Sequence, residues 1–263
     1  MKIIQKTIWV LVGQVISLSL ALAQENDNFF TVDRPGVADL PYLVKPGQFQ
    51  FEAGLDYVQR ENLRRLQIPV FQFRTGLGAK AELRVSLRHI AQDSLQDEIS
   101  PYRWSSGITS PVIGIKVPFV KEKGIIPEIA LMSNLTIPFI GEKEYRPKSA
   151  GHDIYLLFNN NLSQQWSLNY NLGAIWEGIQ ASAIWTYSCC LSFQPTPSVG
   201  FFIEHYAFIP EEESAEWGGD AGITCLLSPK SQVDLSAGIS RVQDKNLYFV
   251  SAGISCRLDK KKK

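Results

Sequence analysis

Residues Asp33–Tyr57 read DRPGVADLPYLVKPGQFQFEAGLDY, and the pattern changes part-way through. The first part is loop-like, with prolines at 35, 41 and 46. From Gly47 onward the residues alternate. Phe49, Phe51, Ala53, Leu55 and Tyr57 fall on one face, and Gln48, Gln50, Glu52, Gly54 and Asp56 on the other. A period of two held over this length predicts a strand with one apolar and one polar face.

Working outward, the same alternation returns about a dozen times with turns between. A second strand is expected near 65–75, with Phe71 and Phe73 opposite Gln72 and Arg74. A third, near 80–90, sets Leu83, Val85 and Leu87 against Glu82, Arg84, Ser86 and Arg88. A long loop is expected from Ala91 to Gly107. The fourth strand carries Ile113, Ile115 and Val117, and the fifth sets Ile129, Leu131 and Leu135 against Glu128 and Asn134. The seventh alternates most cleanly: Trp166, Leu168, Tyr170, Leu172, Ala174 and Trp176 against Ser167, Asn169, Asn171 and Gly173. Further strands follow near 182–193, 219–227, 231–240 and 246–258. No helix and no domain boundary is expected.

Two features separate a membrane barrel from a soluble sandwich. Loops after even-numbered strands read as short, those after strands three, five and nine as long and charged, and those after one, seven and eleven as intermediate. Transmembrane barrels have short periplasmic turns, longer outer loops and an even strand number. Trp166 and Trp176 are also ten residues apart on one face, about 25 Å along the membrane normal at ordinary rise and tilt, which suits an aromatic girdle. Trp185 begins the next strand near the outer girdle. The expected fold is all-β: a single antiparallel transmembrane β-barrel of about 12 strands.

The start of the chain fits export. Lys2 and Lys6 precede an apolar run from Ile8 to Leu22, and Ala21-Leu22-Ala23 supplies a cleavage site. These readings divide the chain into a signal peptide (1–23), a periplasmic or lumen-tucked N-terminal segment (24–46), an outer-membrane β-barrel (47–258) and a basic C-terminal tail (259–263). The 26 Lys+Arg balance 26 Asp+Glu, which excludes a nucleic-acid binder of the basic-patch kind. The cysteines are Cys189, Cys190, Cys225 and Cys256; without a C-x-x-C spacing they read as small hydrophobes in strands, with a Cys225–Cys256 bridge open to an oxidising envelope. No metal and no cofactor is expected.

The opening stretch resembles a known bacterial family, the outer-membrane "transporter" family named for the MetA pathway of phenol degradation. The resemblance rests on Asp33, Arg34, Pro35, Pro46, Gly47, Phe49, Phe51, Glu52, Gly54 and Tyr57. Beyond residue 58 it is one of strand pattern and length. It implies an outer-membrane barrel acting as a passive channel or transporter for small solutes, in contact with outer-membrane lipids and lipopolysaccharide. The family name points to apolar or aromatic solutes. It carries over no catalytic residues. The last strand ends Cys256-Arg257-Leu258, where outer-membrane barrels commonly end on an aromatic residue.

In such a barrel the polar face lines the lumen, because hydrocarbon offers no hydrogen-bond partners. The candidate lumen-lining residues are Glu52, Asp56, Arg74, Glu82, Arg84, Arg88, Lys116, Glu128 and Glu204, joined on the same face by Asp153, Asp220 and Asp234. A three-residue Leu77-Gly78-Ala79 turn would set Arg74 opposite Glu82 and Gln72 opposite Arg84. Two readings of this face stand. One is a solute path tuned by charge, with Arg84 and Arg88 as an anion-favouring stripe; the other is an ion-pair network that fills and stiffens a narrow barrel. A structural or adhesion barrel without transport is the alternative function. An outer-membrane hydrolase is the enzymatic one, and the only set for it is Ser149 with His152-Asp153.

Overall fold

The computed structural model describes residues 30–61, 63–78, 80–94 and 103–260. The expected signal peptide, Asp97, Glu98 and Pro101 of the third loop, and Lys261–Lys263 of the tail lie outside the described residues.

The strands are β1 (Gln48–Arg60), β2 (Leu63–Gly76), β3 (Glu82–Ser94), β4 (Arg103–Ile108), β5 (Val112–Val120), β6 (Glu128–Thr136) and β7 (Gly151–Asn161). They continue with β8 (Trp166–Trp176), β9 (Ile184–Thr196), β10 (Val199–Pro210), β11 (Glu216–Ser228), β12 (Ser231–Val242) and β13 (Lys245–Asp259). Each pairs antiparallel with its neighbours, and β1 pairs with β13 to close the ring. Both β4 and β5 pair with β3, β4 along His89–Ser94 and β5 along Glu82–Ser86. They are two halves of one stave, broken at Thr109-Ser110-Pro111. Among the described residues the result is a closed 12-strand barrel without helices; closure pairs the staves on both sides, save along β4, which pairs with β3 alone.

The two faces are inverted relative to a soluble protein. Ile113, Ile115, Leu172, Ile203, Leu235 and Ile254 point outward and are exposed, while Gln50, Glu52, Arg74, Glu82, Lys116 and Ser255 point inward and are buried. An apolar exterior around a polar interior suits a hydrocarbon surround, in which only closed barrels and helices satisfy their backbone.

Three details depart from the sequence reading. First, the loop expected over 91–107 is mostly strand: β3 runs on to Ser94, and β4 answers it from Arg103. Gln92, Asp93, Ser105 and Ser106 obscure the apolar alternation there, but backbone pairing does not need it. Second, the connections at 61–62 and 243–244 are as tight as any inner turn, and the one at 211–215 is short. The outer side is lengthened at 137–150 and 177–183, while the inner connection at 121–127 is extended by a Lys123–Ile126 bridge. Third, the β2–β3 turn spans 77–81, closed by a Leu77 N–H bond to Ala81 O of 2.8 Å. Register therefore pairs Arg74 with Arg84, Gly76 with Glu82 and Gln72 with Ser86. The expected Arg74–Glu82 contact survives as a diagonal one.

The Cys225–Cys256 bridge does not form, and all four cysteines are free. Cys225 is opposite Val233, and Val233 is opposite Ile254. Strand β12 thus separates the two cysteines by two strand spacings, roughly 10 Å, beyond disulfide reach.

Candidate functional site: the lumen and its inner segment

Residues 30–46 lie inside the barrel. Their prolines keep them out of the ladder, so their backbone groups need side-chain partners. Glu204 accepts from Val37 N at 2.6 Å and Ala38 N at 2.7 Å. Asn171 accepts from Asp39 N at 2.7 Å and donates to Asp39 O at 2.9 Å. Glu82 accepts from Val44 N at 2.7 Å, and Asn159 donates to the Tyr42 hydroxyl at 2.9 Å.

Asp33 is the centre of charge. Its carboxylate is 3.1 Å from Arg74, 2.8 Å from Arg84 and 3.1 Å from Lys116. Burial alone would raise this carboxyl, but Arg74, Lys116 and Arg84 hold it well below the ordinary carboxylate range. Arg74 grips Glu82 with Nε at 2.8 Å and Nη2 at 3.0 Å, and reaches Glu52 at 2.9 Å. Arg84 also meets Asp39 at 2.9 Å. Lys116 donates to Leu40 O at 2.7 Å. The three cations are thus matched by Asp33, Asp39, Glu52 and Glu82. A network this buried persists only because each charge is paired and hydrogen-bonded.

Arg34 takes the opposite side. Its Nη2 donates to Ser251 Oγ at 2.7 Å and Ala252 O at 3.2 Å, and stands 3.5 Å from Asp234 and 3.8 Å from Asp56. The guanidinium lies against Gly54 and Gly253, which are register partners across the β1–β13 seam. A β-carbon on either glycine would overlap it. Glycine is needed here for close approach.

The candidate lumen residues fall into three groups. Glu52, Arg74, Glu82, Arg84, Lys116 and Glu204 are brought together around the inner segment. Asp56 sits beside Arg34 and accepts from Ser251 Oγ at 2.7 Å. Arg88 and Glu128 stand apart: Arg88 is exposed, and Glu128 accepts from Glu122 N at 2.8 Å. The anion-favouring stripe of Arg84 and Arg88 is therefore split, because Asp33 and Asp39 neutralise Arg84. Among the motif residues, Asp33, Arg34, Glu52 and Gly54 act in these contacts. Gly47 has a φ of 77° where the chain enters β1. The Arg34–Pro35 peptide is cis.

Trp166, Trp176 and Trp185 all face outward on β8 and β9. Trp166 stacks on Phe193 at 4.5 Å and Trp176 on His152 at 5.9 Å, while Trp185 is opposite Ala174. His152 is held by Ser133 at 3.0 Å, whereas Ser149 donates to Gly178 O. The Ser149–His152 pairing a hydrolase would need is not assembled.

An apolar patch on the inner wall escaped the sequence reading. Ala130, Met132 and Leu157 point inward and are buried, with Tyr155 against them. Residues next to polar positions on a strand read as part of the polar face unless both strands are considered together. Two cavities also stand out. One of about 270 Å³ lies under the inner segment and is lined by Phe30, Tyr42, Asn169, Cys190, Glu204 and Gln232 among others. One of about 440 Å³ opens at the outer rim between the 137–150 loop, Val112, Ile175 and Trp176. That loop is laced to the broken stave by Tyr145 to Ser105 Oγ at 2.6 Å and Ser110 to Ile140 O at 2.8 Å.

A family model described as "Putative MetA-pathway of phenol degradation" matches residues 32–258. The chain belongs to this family. The match begins one residue before Asp33 and ends with β13, so the family spans the inner segment and the whole barrel. No curated protein matches the chain. An outer membrane channel from Pseudomonas putida F1 superposes with a TM-score of 0.64 at 11% identity, covering 87% of this chain and 100% of that one. The NanC porin gives 0.54 at 5% identity, over 79% and 100%. The β domain of the Bordetella autotransporter BrkA gives 0.53 at 12% identity, over 81% and 100%. At these identities the likeness is one of fold, and the fold is that of outer-membrane barrels.

Proposed function

We propose that this protein is a passive channel of the bacterial outer membrane that admits small solutes, exported there by its N-terminal signal peptide and embedded in outer-membrane lipid with lipopolysaccharide at its outer rim. The observation that carries the reading is a closed barrel whose polar lumen holds unfilled space both under the inner segment and at the outer mouth. Family membership and the P. putida channel of like fold support the same reading.

Small aromatic or apolar solutes are the class favoured. The outer cavity offers Val112, Ile175 and Ile179 beside a few polar groups. Binding sites for such molecules combine apolar lining with sparse polar contacts. The barrel acts without catalysis, as a selective path.

The test is planar-bilayer recording of the refolded mature protein, with phenol uptake into proteoliposomes beside it. Ohmic steps and uptake above empty vesicles are expected. Verified insertion with neither would overturn the proposal in favour of a structural or adhesion barrel.

A further inference from the structure

The inner connection between β5 and β6 is built unlike a turn that faces water. Residues 119–126 read Phe-Val-Lys-Glu-Lys-Gly-Ile-Ile. Phe119 bulges out of the β5–β6 ladder between Pro118 and Val120 and is 71% exposed. Ile125 is 95% exposed, with Ile126 exposed beside it. The tip is nevertheless held in one shape. Lys123 N donates to Ile126 O at 3.0 Å and Ile126 N to Lys123 O at 3.1 Å, around Gly124 with a φ of 61°. Glu128 accepts from Glu122 N at 2.8 Å, and Glu122 accepts from Asn161 N at 2.6 Å.

The tip is laid against the lipid side of the wall. Asn160 alternates along β7 with the buried Leu157 and Asn159, so it shares the outward face with Leu156. Its amide donates to Ile125 O at 3.3 Å, and the Tyr170 hydroxyl donates to its oxygen at 3.3 Å. The tip thus adjoins the apolar exterior of the barrel at the inner rim. Lys121 and Lys123 stand within it, both exposed. Among the described residues neither forms an ion pair, and Glu122 between them is taken by the Asn161 backbone and side chain.

We propose that this connection is a docking site for an anionic phospholipid of the inner leaflet, whose phosphate meets Lys121 and Lys123 while Phe119, Ile125 and Ile126 rest among acyl chains. The occupant follows from both halves of the site. An acidic peptide or a free phosphate satisfies the two ammonium groups and leaves the isoleucines in water. A zwitterionic lipid covers the isoleucines and leaves two cations unmatched. Lysine stems run along apolar surface to a charged head, and lysines at a membrane surface attract anionic headgroups. The site rests on the barrel's seat in the membrane and is independent of conduction.

In the test, Cys189, Cys190, Cys225 and Cys256 are replaced by alanine, and Ile125→Cys is labelled with bimane, an apolar fluorophore. The barrel is folded into vesicles of phosphatidylcholine and phosphatidylglycerol, with heat-modifiable gel mobility confirming the fold. At equal mole fraction, brominated phosphatidylglycerol is expected to quench the label several-fold more than brominated phosphatidylcholine. Lys121→Gln/Lys123→Gln is expected to abolish the difference. Equal quenching by the two lipids, quenching by neither, or a difference that survives the lysine changes overturns the site. Should the cysteine-free barrel not fold, native mass spectrometry of the protein with its cysteines intact decides. Preferential retention of phosphatidylglycerol that is lost in Lys121→Gln/Lys123→Gln and kept in Lys245→Gln, at the outer rim, supports the site. Equal retention of the two lipids, or a preference indifferent to the lysine pair, overturns it.

Discussion

The guanidinium of Arg34 occupies the space that a β-carbon on residue 54 would need. The two positions are complementary across a loop and a strand. One is the longest cationic side chain of the inner segment; the other is a strand residue with no side chain at all.

Gly54→Val should therefore expel Arg34 from its notch. Loss of its charge-assisted hydrogen bond is worth about 1.5–3 kcal/mol. The barrel itself, held by ladders on both sides of β1, should still form. Limited proteolysis after the substitution is expected to cleave between residues 30 and 46 in folded barrels, with wild type resistant. Equal resistance would show that Arg34 does not anchor the segment.

Asp33→Asn should be more costly than any exposed charge change. It leaves Arg74, Arg84 and Lys116 with one anionic partner fewer in a buried site. Uncompensated buried charge costs about 3–5 kcal/mol. Thermal unfolding in detergent should show a large drop, against almost none for Asp244→Asn, whose carboxylate is exposed.

The cysteines should behave as four independent thiols. Maleimide labelling in denaturant, without reductant, is expected to modify all four, and gel mobility should not respond to reductant. Labelling of two only would reveal a bridge that the strand positions of Cys225 and Cys256 do not allow.

The outward tryptophans should sit at shallow depth. With single-tryptophan variants keeping Trp166 or Trp176, quenching by lipids brominated near the headgroup should exceed quenching by lipids brominated near the chain ends. The reverse order would remove these residues from the girdle.

The strands were legible because period two over Gln48–Tyr57 or Trp166–Trp176 is a local signal, and lipid outside a polar lumen sharpens it. The β2–β3 register was not, because nothing in Leu77-Gly78-Ala79 says whether two further residues belong to the turn. The β4 strand was hidden by its serines. Membership of the lumen network was legible one residue at a time, but its pairing was not. Asp33 meets Lys116 from 83 residues away, and Arg34 meets Asp234 from 200. Alternation reports the face a side chain is on and is silent on which partner waits across the lumen. The motif stretch marked Asp33 and Arg34 without indicating what they bind.

The place where Arg34 sits has a consequence for assembly. The β1–β13 seam joins the first strand made to the last, whereas every other pair in the ring links neighbours in the chain, save β3–β5, which steps over β4. Arg34 grips this seam from within through Gly54, Gly253 and Ser251. The inner segment and the closing seam therefore share contacts, with Arg34 bonded to Ser251 and Ala252 on β13 and lying against Gly54 on β1. The seam is thus fastened by what the barrel contains, and a ring sealed around an absent segment would leave Asp234 and Asp56 without their cation.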